Sequence, residues 1–253
     1  MPDLVALYGW PLLLAMAAAS VVIGFSKTSV GGIAAISVAV FALAMPAKES
    51  TATVLLLLIV GDLIAILRYR TVSWRLLWKL VPSVIPGLLL GALFMNLVDD
   101  VTMRRTIGAL LLLMVGIQLW QRVTRRREEA VENTNPHWVR ASLTGTAAGF
   151  TTMTANAAGP VMALYFLAAR IDKARFIGTN AWFFALINVS KVPLAASLGL
   201  FTAEGLALDL VMVPAVLLGA LLGTWVIKRV TQRQFEVVTM VASAVSAATL
   251  LLR

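Results

Sequence analysis

The sequence predicts an all-α integral membrane protein: two inverted five-segment repeats, each with a broken or re-entrant helix pair, giving about 8–10 membrane segments. Three observations lead there. Of the 253 residues 60% are hydrophobic and only 13% charged, with a mean hydropathy of +0.91. A water-soluble domain carries about 25% charge, so the solvent here is the bilayer. Apolar stretches of about 17–25 residues recur from end to end, each long enough to cross about 30 Å of hydrocarbon. Two of them are interrupted by small polar residues at matching places in the two halves. The chain therefore reads as a single membrane domain, 1–253, with repeat 1 over about 5–121, a polar linker over about 122–137 and repeat 2 over about 138–252.

Charge and rare residues narrow the function. The formal charge of +9 sits mostly in short loops, where Lys and Arg set membrane orientation, so nucleic acid is not an expected partner and the lipid bilayer is. No cysteine is present, and the one histidine, His137, falls in the polar linker. Thiolate, haem and His-based zinc chemistry are thereby disfavoured; no cofactor, no metal and no enzymatic activity are expected. The N-terminal segment MPDLVALYGW has no Lys or Arg before its apolar run. It reads as a retained helix rather than a cleaved signal.

In order, a first helix is expected from about Val5 to Gly24, then the break GFSKTSVGG over 24–32 and a short apolar piece from about Ile33 to Met45. A long helix ends near Arg68, with Ser50 or Thr51 as its N-cap. A basic loop, RYRTVSWR continuing to Lys79, precedes spans at about Leu80–Leu97 and Met103–Trp120. After the linker come a helix at about Trp138–Met153, the break TANAAGP, a short piece at about Val161–Ala169, and the basic turn RIDKAR. A long helix at about Phe176–Leu198 follows, with Pro193 inside it. Glu204 and Asp209 are assigned to the next turn, and spans at about Leu206–Ile227 and Phe235–Leu252 complete the plan.

The halves match in letters. Pro86–Leu93 aligns with Pro214–Leu221 at a shift of 128, as does Thr51 with Thr179, and Gly24-Phe25 aligns with Gly149-Phe150 at 125. An odd number of segments per half makes the second copy inverted. Placing the linker in the cytoplasm puts most Lys and Arg inside, together with Trp74, Trp78, Trp120, Trp138 and Trp225 as an aromatic belt.

The chemistry is expected at the breaks. Unwound backbone at membrane depth survives only where protein or a water-filled cavity satisfies it, and helix ends exposed there favour anions. In the first break Ser26, Lys27, Thr28, Ser29, Gly31 and Gly32 are candidates; in the second, Thr151, Thr152, Thr154, Asn156 and Gly159. Gly and Ser/Thr also let helices pack closely, which is the competing reading. On the long helices the candidates are Thr51, Thr179 and a stripe of Asn180, Asn188 and Lys191, polar enough for a multi-oxygen anion. Lys27 either faces a cavity or snorkels to the inner surface. Asp62, in the apolar segment GDLIAIL, is a candidate proton carrier or the partner of a buried cation that holds two helices together.

The repeats GFSKTSVGG…Thr51 and GFTTMTANAAGP…GTN, each followed by P-x-x-L-L-G-A-L, resemble the TauE/SafE sulfite exporter-like family, also called the toluene sulfonate uptake permeases, over nearly the whole chain. The resemblance implies a multi-pass transporter of the cell inner membrane for sulfur-containing anions: sulfite, or organosulfonates such as sulfoacetate and toluene sulfonate. Where the family usually has a glycine run before proline, this chain reads Asn156-Ala157-Ala158-Gly159-Pro160, which implies a different pocket shape or polarity. A sulfonate presents three acceptor oxygens and a full negative charge, suited to lysine, amides, hydroxyls and helix-end N–H groups. Accumulation against the membrane potential needs a coupling ion, most simply a proton. The rival readings are a membrane-embedded lipid-phosphate phosphatase, for which the acid and histidine complement is poor, and an anion channel.

Overall fold

The computed structural model describes residues 3–29, 34–124, 138–159, 162, 165 and 173–226. Among these residues there are eight helices and no strand: α1 (Leu4–Thr28), α2 (Ala34–Ala44), α3 (Ala47–Arg68), α4 (Trp74–Leu97), α5 (Asp100–Thr124), α6 (Trp138–Ala155), α7 (Lys173–Ser197) and α8 (Ala203–Val226). Leu4–Thr28, Ala47–Arg68, Trp74–Leu97 and Ala203–Trp225 are each long and apolar enough to cross a membrane. Most of the expected linker, the short piece at 161–169 and the final span at 235–252 lie outside the described residues.

The helix ends follow from local chemistry. Asp3 starts α1, its Oδ1 accepting from the Val5 and Ala6 amides at 3.1 Å. Gly9 takes φ +71° two residues before Pro11 and kinks the helix, because proline gives no amide bond to the preceding turn. Asp99 caps α5 through the Thr102 amide at 2.8 Å, and the Thr102 hydrogen bonds hold its carboxyl below the usual carboxylate range. The end of α7 is a Schellman turn: Gly199 at φ +67° donates to Ala196 and Leu200 to Ala195.

Several expected boundaries move. The first helix continues past Gly24 to Thr28, since the Thr28 and Ser29 hydroxyls bond back to the Gly24 and Phe25 carbonyls and leave the helix intact. Pro46, not Ser50 or Thr51, precedes the first turn of α3; both hydroxyls instead return to the carbonyls of Ala47 and Lys48 at 2.7 Å. The basic stretch from Trp74 to Lys79 is helical, with Pro82 and Pro86 inside α4. Helix α7 starts at Lys173, three residues early, and α8 at Ala203, which takes Asp209 out of the expected turn and into a helix.

The outer surface is what a lipid solvent requires. Leu89, Leu90, Leu93 and Leu97 of α4 and Leu210, Leu218 and Leu221 of α8 are all more than half exposed, as are Trp78, Trp120 and Trp225. In water such bands would be aggregation surfaces; in hydrocarbon they are the solvated face.

The core is built by exchange between the halves. Helix α1 packs most extensively on α8, and α4 on α6. The two interfaces correspond residue by residue. A side chain on Gly24 would strike the Val216 carbonyl and the Ala220 amide; one on Gly149 would strike the Val84 carbonyl and the Leu88 amide. Gly219 abuts the Val21 carbonyl as Gly87 abuts that of Thr146, and Gly223 meets Phe25 and Thr28 as Gly91 meets Phe150 and Met153. Both α4 and α8 thus use a G-x-x-x-G face, in which paired glycines let two backbones touch. The contacts equate Gly87 with Gly219 and Gly91 with Gly223, a spacing of 132 residues. The letter match at 128, which sets Gly91 on Gly219, differs from this contact register by one helical turn.

One set of contacts therefore joins α1, α2 and α3 with α8, and another joins α4 with α6 and, less extensively, with α7. They meet chiefly where α3 lies against α7. At that seam lie Asp62 and Lys191, both buried, with Lys27 beside them.

Candidate functional site

At the seam a chain of polar side chains links both groups. Lys27, the penultimate residue of α1, reaches across α3 to pair with Asp62, Nζ to Oδ1 2.6 Å. Its path exists because residue 61 is glycine: a Cβ there would stand 2.8 Å from Lys27 Cγ. The ammonium also lies 4.8 Å above the ring centre of Phe184 on α7. Asn188 of α7 donates from Nδ2 to Asp62 Oδ2 at 2.6 Å. Lys191, one turn further along α7, donates to Asn188 Oδ1 at 3.3 Å, to Thr152 Oγ1 at 3.4 Å and to Asn156 Oδ1. Asn156 in turn donates to the Thr51 carbonyl at 3.0 Å. The order is Lys27, Asp62, Asn188, Lys191, Asn156, Thr51.

The two lysines differ. Lys27 has a carboxylate. Lys191 is only 2% exposed and, among the described residues, makes no ion pair; its three acceptors are neutral oxygens. With both lysines protonated and Asp62 ionised, the cluster carries a formal charge of +1, and an anion beside Lys191 would offset the cost of burying its ammonium on neutral oxygens. Such a site is complementary to a monoanion.

The second break supplies the geometry. Helix α6 ends at Ala155, and Asn156 adopts φ +49°, a left-handed conformation that asparagine tolerates better than most side chains. This turns its amide toward both Lys191 and Thr51. The next helical turn begins at Ala158, whose carbonyl accepts from the Met162 amide at 3.0 Å, and among the described residues nothing lies within 4 Å of where a Cβ on Gly159 would be. Asn156, at this break, is the residue that meets the buried ammonium.

The remaining candidates distribute as follows. Asn156, Asn188, Lys191, Lys27 and Asp62 come together, with Thr51 contributing only its carbonyl. Thr28 works as a fastener: its hydroxyl donates to the Ala220 carbonyl at 2.8 Å, and its own carbonyl accepts from Tyr69 Oη at 2.6 Å. Ser29 and Thr154 bond back to Phe25 and Phe150, and Thr151 to Ala147. Ser26 is buried on α1. Thr179 lies apart, accepting from the Ser73 amide at 2.9 Å where the α3–α4 turn docks on α7. Asn180 is half-buried on α7, eleven residues before Lys191, and among the described residues no hydrogen bond joins it to the chain of contacts. Gly31 and Gly32 lie outside the described residues. Sequence reasoning missed Gly61, whose signal was its place beside the buried Asp62. It also missed Asp209, whose two carboxylate oxygens are buried with no hydrogen-bond partner. Among the described residues no cluster of His, Cys, Asp and Glu could hold a metal ion.

Comparison with curated proteins and with solved structures gives no match. The family model described as sulfite exporter TauE/SafE matches residues 16–250, nearly the whole chain. With several lipid-faced apolar helices and a buried cationic seam beside a broken helix, this multi-pass membrane chain belongs to the TauE/SafE sulfite exporter family.

Proposed function

We propose that the protein is a secondary transporter of the inner membrane that carries sulfur-containing monoanions, organosulfonates or bisulfite, by alternating access. The carrying observation is Lys191: fully buried, on neutral oxygens, one of them from Asn156 at the second break. In this reading the anion's oxygens take over donors from Lys191, the Asn156 and Asn188 amides and the start of the helix after Ala158. Thr152 stays as a positioning hydroxyl. The corresponding glycine contacts of α1–α8 and α4–α6 support a duplicated, inverted origin for the halves, and the seam between the two groups is where a site opening to alternate sides is expected.

Purified protein in proteoliposomes should exchange labelled sulfite or toluene sulfonate against the same anion inside. Lys191→Ala should reduce that exchange at least tenfold, while Lys191→Arg, which keeps the charge but not the shape, should leave an intermediate rate. Wild-type exchange in Lys191→Ala would remove the anion from this site, and absence of exchange for every sulfur-containing anion would sink the substrate class.

A further inference from the structure

The site described above uses Lys27, Asp62 and Lys191; among the described residues a second buried carboxyl group lies outside it. Asp209 lies seven residues into α8, is 6% exposed, and neither carboxylate oxygen has a hydrogen-bond partner. No Lys, Arg or His among the described residues lies within ion-pair distance of it. It belongs to the stripe of α8, with Leu208, Met212 and Val216, that is buried against α1 and α3.

Its neighbours can be followed along that stripe. One turn before it, Gly205 sits against Thr53 of α3, whose Oγ1 would be 3.0 Å from a Cβ there. Beyond Gly205, toward the start of α8, the titratable groups are Tyr8 of α1, Glu49 of α3 and Glu204 of α8 itself; Thr202 donates to Glu49 at 3.3 Å. Two turns after Asp209, about 10 Å along the axis, Val216 touches Gly61, next to Asp62 and the Lys27 stem. Asp209 therefore stands between an acidic rim and the cationic seam, on a face shared by both.

The charges then balance in two states. Lys27, Lys191, Asp62 and an ionised Asp209 sum to zero without an anion. With a monoanion bound, a proton on Asp209 returns the sum to zero and leaves the Lys27–Asp62 ion pair intact. An uncompensated charge in the membrane interior is costly, so both balanced states are favoured over the two unbalanced ones. Resting on the transport reading above, we propose that Asp209 is the proton-binding site of the cycle: its carboxylate takes up one proton as one anion binds and releases it as the anion leaves, so that a monoanion and a proton move together. The bond formed and broken is the carboxyl O–H, and the proton comes from and returns to water.

The test uses the full-length protein in proteoliposomes with labelled toluene sulfonate and labelled sulfite, comparing wild type with Asp209→Asn. The anion's own titration is common to both proteins, so a difference belongs to Asp209. Wild type should accumulate anion under an imposed acid-outside gradient. In Asp209→Asn that accumulation should fall at least tenfold, while counterflow exchange persists and loses its dependence on pH. Gradient-driven accumulation equal to wild type in Asp209→Asn would overturn the proposal. If wild type shows no counterflow at all, the transport reading fails first. Should Asp209→Asn not purify as a folded protein, Asp209→Glu replaces it; a displaced pH profile of accumulation supports the assignment, and a profile identical to wild type refutes it.

Discussion

Lys27 and Lys191 carry the same charge and are held in opposite ways. Lys27 is neutralised by Asp62 at 2.6 Å, whereas Lys191 rests on two amides and a hydroxyl. Removing one member of a buried pair strands the other, at about 3–5 kcal/mol, while replacing both by apolar groups is often neutral. Lys27→Ala should therefore lower the thermal unfolding midpoint in detergent more than the double variant Lys27→Met/Asp62→Leu. A larger loss in the double variant would mean that Asp62 earns its stability from Asn188 instead. Lys191→Ala should have the reverse profile, with a small effect on unfolding and a large one on anion exchange, because it strands only neutral oxygens.

At the scale of the helix, glycine marks contact more than flexibility. Gly24 lies under the α8 backbone, so Gly24→Leu forces α1 away from Val216 and should cost at least the roughly 1–3 kcal/mol of an overpacked core. Gly116, on α5, has nothing within 4 Å, and Gly116→Ala should raise stability by up to about 1 kcal/mol through helix propensity alone. Thermal unfolding of the two variants side by side checks the contrast. The same contrast explains what could be read from the chain. Helices and turns were legible because apolar runs, prolines and caps act locally. The break after Gly24 was placed too early because glycine, serine and threonine look alike whether they unwind a helix or fasten it to another, and Gly24 and Thr28 do the latter. The sequence places Asp209 in a turn with Glu204, and burial against α1 and α3 is not a local property. Lys191, Asn188 and Asn156 were legible as polar residues in apolar surroundings. The bond from Asn188 to Asp62 spans 126 residues and follows only from α3 lying against α7.

At the scale of the molecule, each half of the chain lends one helix to the other: α8 packs on α1 and α3, and α4 packs on α6. Neither half should then be stable alone. Residues 1–130 and 131–253 expressed as separate chains should each be degraded or aggregate, yet regain anion exchange when co-expressed; a stable, monodisperse N-terminal half would contradict the exchanged arrangement. The exchange also has a consequence in time. Thr28 finds the Ala220 carbonyl 192 residues downstream. At a synthesis rate of about 5–20 residues per second, that partner emerges roughly 10–40 s later. For that interval the nascent α1 must wait in lipid with its glycine face uncovered, which makes the first third of the chain the segment most exposed to quality-control proteases during membrane insertion.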